Sequence, residues 1–100
     1  MSVSISLSNN FNNFNHCNEI IKKLMKYNIN CRTIETKSIV DNNIEHGCLV
    51  TIGDKYNSKR EVKKVWQIIN SNDDYICAHL NINGKFDGCI LNYINADYCK

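Results

Sequence analysis

Proline is absent from the 100-residue chain, and glycine occurs only four times. Collagen-like and proline-rich linker architectures are therefore excluded, because both depend on those residues. No apolar run approaches the roughly 20 residues of a membrane-spanning helix. The N-terminal residues lack a basic stretch followed by an apolar block, so no secretory leader is expected. The six cysteines stand at 17, 31, 48, 77, 89 and 99, and no two are closer than ten residues. CxxC pairs are missing, and with them zinc ribbons and thioredoxin-type redox sites. Glycine-rich phosphate loops, dinucleotide fingerprints and HExxH are missing too. The net charge of +2 is too small to imply a polyanionic partner by itself.

What the chain has in excess is Asn (17), Ile (14) and Lys (10), against only two Ala. These three residues have A/T-rich codons, so the excess points to an AT-rich genome, with a large DNA virus among the candidates. It carries information about base composition and none about mechanism. Hydrophobic residues at 43% and charged residues at 22% describe an ordinary soluble chain. Residues 1–100 are expected to form one domain, cytoplasmic, or in the host cell if the genome is viral. In that compartment the thiols are expected to stay reduced. Cys17 and Cys48 are expected to act as small core residues, and Cys99 to be an exposed terminal thiol.

Periodicity supplies the elements. Val3, Ile5 and Leu7 alternate with serines, the pattern of a half-buried strand. A polar, Asn-rich loop holding Phe11 and Phe14 follows, with both rings expected to plug the core. Cys17, Ile20, Ile21 and Leu24 then recur at helical spacing after Asn15. Asn28 suits a left-handed position after that helix, which would fold Ile29 back on Leu24. Cys31 to about Thr36 reads as a strand, Asp41-Asn42-Asn43 as a turn, and Cys48–Ile52 as a central strand. Ser58-Lys59-Arg60-Glu61 is a capping box ahead of Val62, Val65, Trp66 and Ile69 at helical spacing. Tyr75–Ile82 alternates with Ile76, Ala78, Leu80 and Ile82 on one face. Asn83-Gly84 is a hairpin dipeptide, so a further strand from Lys85 towards Leu91 is an optional extension.

The order β-α-β-β-α-β predicts an α+β fold of the ferredoxin-like, split β-α-β kind. Its antiparallel sheet would carry two helices on one face, with an extra C-terminal hairpin strand as an option. Such a fold hosts many functions, so activity has to be argued from sites.

Seven of the twelve basic residues fall on the two helices: Lys22, Lys23, Lys26, Lys59, Arg60, Lys63 and Lys64. Only Glu19 and Glu61 oppose them there, so the solvent sides form a basic ridge able to meet phosphates. An RNA-recognition platform is not expected, because no aromatic residue stands on the first strand or on 48–52. The loop 8–15 has neither Arg nor Gly, which removes an acylphosphatase-like phosphate loop. A thiol or metal site is a third option. It rests on Cys77 and His79, two apart on one strand, and on His46 with Cys48. No catalytic set, metal or cofactor is assigned, and the reading leans away from an enzyme. The expected function is a small interaction or ligand-binding module. It would form a homodimer through the open sheet face or a strand edge, with nucleic-acid association by the helix ridge as the alternative.

Overall fold

The computed structural model describes residues 3–8, 15–71, 75 and 77–95. Phe11, Phe14, Ile76 and Cys99 lie outside them. Along the chain come β1 (Val3–Ser8), α1 (Asn15–Met25), β2 (Cys31–Val40), β3 (Asn43–Ile52) and α2 (Lys59–Ile69). They are followed by β4 (His79–Ile82), β5 (Phe86–Cys89) and α3 (Ile90–Asn95). The strands make one five-stranded sheet in the order β2-β3-β1-β4-β5, and every neighbouring pair is antiparallel. The architecture is α+β, with a third helix that periodicity alone did not announce. Among the described residues no helix is long and apolar enough to cross a membrane.

The register explains which face is buried. Val3 lies between Ile52 and Ile82, and Ile5 between Val50 and Leu80, while Leu7 faces Cys48. All eight are buried, and they join Cys17, Ile20 and Leu24 of α1 in one core. Val62, Val65, Trp66 and Ile69 of α2 and Ile90 and Ile94 of α3 complete it. The opposite face carries Ser4, Ser6, Leu49, Thr51 and Asn81, all half-exposed, with Arg32, Ile34 and His79 exposed at its sides. Alternation along each strand thus becomes one dry face and one wet face.

Local signals set the element ends. Asn28 has φ 58°, Ile29 N–H donates to the Leu24 carbonyl at 3.1 Å, and Asn28 N–H to that of Met25 at 3.0 Å. This is the Schellman closure expected after α1. Ser58 caps α2 by accepting from the Glu61 N–H at 3.3 Å. Asn83 and Gly84 have φ 49° and 76°, and Lys85 N–H closes their turn on the Ile82 carbonyl at 2.7 Å.

Three expectations are corrected. β2 does not stop near Thr36 and β3 does not start at Cys48, because the pair runs without a bulge from Cys31↔Ile52 to Val40↔Asn43. Asp41 and Asn42 both have positive φ (51° and 65°), forming a two-residue turn whose twist suits long strands. Hydrogen bonding between the two strands extends them here, past the reach of the apolar pattern. β4 is shorter than Tyr75–Ile82. β5 ends at Cys89 rather than near Leu91, because Ile90 N–H turns to the Ala78 carbonyl at 2.8 Å and starts α3.

Candidate functional site

Three regions hold the chemistry-bearing residues. The first is the β2 edge. β1 pairs only with Gly47–Ile52 of β3, so the hairpin from Lys37 to His46 projects beyond it as a two-stranded arm. On its outer side β2 has no strand neighbour among the described residues. Among the described residues, the exposed large hydrophobic ones are Met25, Tyr27, Ile34, Ile39 and Ile44. All five belong to β2, to the arm or to the end of α1 that leads into β2. Ile39 (77% exposed) and Ile44 (53%) are directly paired across the arm.

The second region lies between α1 and α2. A cleft of about 500 Å³ is lined by Lys23, Lys26, Tyr27, Lys64, Gln67, Ile68 and Ser71. It gathers three of the seven ridge residues, while Lys22, Lys59, Arg60 and Lys63 stand outside its lining. The cleft thus takes three of the seven ridge cations and leaves four outside it. Lys23 Nζ donates to the Ile69 carbonyl at 3.5 Å, a favourable partner for the last turn of α2. Tyr27, Gln67 and Ser71 were not anticipated, since only helix packing decides what borders the lysines.

The third region is the β4–β5 corner on the open sheet face. Cys77 and Cys89 form a disulfide with their Cα atoms 6.3 Å apart. The expectation of reduced thiols is corrected for these two, while Cys17, Cys31 and Cys48 are free. Disulfides are rare in the cytosol, so this bond does not support the cytoplasmic expectation. His79 Nε2 meets Asp87 Oδ1 diagonally across the two strands. A shallow cavity of about 260 Å³ beside them is lined by Ser6, Cys77, Ala78, His79 and Cys89. Asp87 was missed, because a two-residue Asn83-Gly84 turn would pair it with Leu80, whereas the loop takes in Lys85 and sets Asp87 opposite Asn81 on His79's face.

Chemically the corner offers an imidazole–carboxylate pair beside two bonded sulfurs, which leaves no thiolate for nucleophilic attack. Ser6 sits opposite His79 in the register. With side-chain exposures of 57% and 63%, His79 and Asp87 lie where water competes with any substrate. His46 is placed opposite Lys37 in the arm, whereas Cys48 is fully buried opposite Leu7. Among the described residues no three His, Cys, Asp or Glu side chains are grouped to hold a metal ion.

Cys48 is also chemically quiet. Burial pushes its thiol well above the usual range, and a hydrogen bond with Cys17 and the nearby Cys17, Cys31 and Glu35 charges push the same way. Burial raises Cys31 likewise. A thiol held neutral in the folded state ionises first in the unfolded chain. Stability is then full below the ordinary value of 9.0 and declines as pH rises past it. Urea titrations from pH 8 to 10.5 are expected to show that decline, and Cys48→Ala to flatten it. An unchanged slope in the variant would assign the decline to other groups.

Compared with protein-family models, with curated proteins and with solved structures, the chain matches none.

Proposed function

We propose that this chain is an interaction module that works as a homodimer, joined through the outer edge of β2 rather than through the open sheet face. One observation carries the reading. Among the described residues, the large exposed hydrophobic side chains gather on the β2 side, beside a ten-residue edge that has no bulge and no proline. Natural edge strands are usually short, bulged or covered, because a bare row of N–H and C=O groups recruits another strand. The centre of the open face is by contrast small and polar, with Ser4, Ser6, Thr51 and Asn81. The basic cleft supports nucleic-acid association less well, since four of the seven cations lie outside it and Lys23 is engaged with the Ile69 carbonyl.

The underlying fold reads as ferredoxin-like. With β5 set aside as the hairpin extension, the remaining strand order β2-β3-β1-β4 is that of a split β-α-β sheet, and both main helices contribute to the one buried face.

Sedimentation equilibrium at micromolar concentration is expected to give a dimer. Lys37→Pro should give a monomer with an unchanged far-ultraviolet spectrum, since proline is tolerated at an edge position whose N–H points outward. A wild-type monomer up to high micromolar concentration overturns the reading.

A further inference from the structure

We infer that the two β2 strands pair antiparallel about a two-fold axis through Thr36, setting Glu35 of each copy opposite the partner's Lys37. This rests on the edge-dimer reading above and adds its register.

Backbone direction comes first. A two-residue turn closes on a hydrogen-bonded pair, here Val40 and Asn43. Such pairs alternate along an antiparallel ladder. Because β2 and β3 stay in one register throughout, Arg32, Ile34, Thr36, Ser38 and Val40 direct their peptide groups at β3. Cys31, Thr33, Glu35, Lys37 and Ile39 direct theirs outward. Two copies hydrogen-bond only when outward residues face outward residues, which rejects every register that sets an odd position against an even one.

Charge then selects among the registers left. Moving the axis to Glu35 sets two carboxylates face to face, and moving it to Lys37 sets two ammonium groups face to face. Centring on Ile34 leaves both charges opposite uncharged residues, and centring on Ser38 sets Lys37 opposite Ile39 and Glu35 level with Asp41, a like charge in the turn. Only the axis at Thr36 matches Glu35 with the partner's Lys37, and it does so twice by symmetry. That register pairs Arg32 through Val40, giving about eight backbone hydrogen bonds between copies. The two sheets become one, ten strands wide.

The exposed apolar residues also find an occupant. Ile39 falls opposite the partner's Thr33, on the face that carries the helices. The tip of each arm then lies beside the start of the other β2, where the partner's Met25 and Tyr27 are exposed. One placement thus accounts for the long edge, the projecting arm, the alternating charges and the exposed Ile39.

Cysteine crosslinking tests the register directly. Thr36→Cys meets itself across the axis at a non-hydrogen-bonded position, where Cα atoms about 4.5 Å apart suit a disulfide. Mild oxidation should therefore convert Thr36→Cys to covalent dimer, with Ile34→Cys and Ser38→Cys far behind, since those two face one another rather than themselves. Glu35→Lys and Lys37→Glu should each weaken the dimer at least about tenfold by turning both matched pairs into like charges. The double variant should regain wild-type affinity. A dimer that crosslinks best at 34 or 38, or ignores the charge reversals, overturns the register and leaves the edge dimer standing. A monomeric wild type overturns both.

Discussion

Trp66→Ala is expected to lower the unfolding free energy by about 3–5 kcal/mol, the range found when a large aromatic side chain is cut from a core. Trp66 is only 5% exposed, on the inner face of α2, and its ring packs against Tyr75 with centroids 6.3 Å apart and planes tilted by 50°. Tyr75 is held from the other side, its N–H donating to Asn70 Oδ1 at 2.9 Å. Removing the indole opens a cavity and frees the segment that leads from α2 into β4. Because a domain of this size has only about 5–15 kcal/mol in total, the loss takes a large share of its stability. Urea unfolding followed by far-ultraviolet circular dichroism measures this without relying on the chain's only tryptophan as reporter. Trp66→Phe keeps the ring contact and should lose far less. Equal losses in the two variants would mean that the indole itself, rather than core volume, holds the site.

The Cys77–Cys89 disulfide gives the second large effect. The two residues are 12 apart in sequence, and closing a loop of that size in the unfolded chain is worth about 3 kcal/mol. Cys77→Ser/Cys89→Ser should be destabilised by that order, and reductant should bring the wild type to the same value while leaving the variant unmoved. The loss should be local first. β5 and α3 are four and six residues long and sit at the sheet edge, so their amides should lose exchange protection while β1 and β3 keep theirs. A reductant response in the double variant would place the effect at another cysteine.

The two effects differ in how far they were legible. Trp66 stood on a helical stripe behind a capping box, and the structure places it in the core as that spacing implies. No disulfide is expected from the sequence because residues 1 onward do not read as a secretory leader, an argument from compartment and not from geometry. Counting from Asn83-Gly84 as a two-residue turn sets Ile82 opposite Lys85 and His79 opposite Gly88, which leaves residues 87 and 89 with buried Leu80 and Ala78. The structure takes Lys85 into the loop as well, and that one-residue shift pairs Ile82 with Phe86 and brings His79, Asp87 and Cys89 onto the open face.

What the sequence determined by itself is what depends on residues within about five positions of one another. The buried face of β1 and of β4 follows from alternation, the end of α1 from the left-handed Asn28, the start of α2 from Ser58 and Glu61, and the last hairpin from Asn83-Gly84. Each is a local backbone preference or a local hydrogen bond, and each needs no distant partner. Tertiary structure alone decided which elements became neighbours. It put β1 in the middle of the sheet and β2 at its edge, and it prolonged the β2–β3 hairpin past its apolar pattern. It also drew three of the seven helix cations into one cleft. Those outcomes depend on which surfaces the core buries against each other, a long-range choice that no stretch of ten residues encodes.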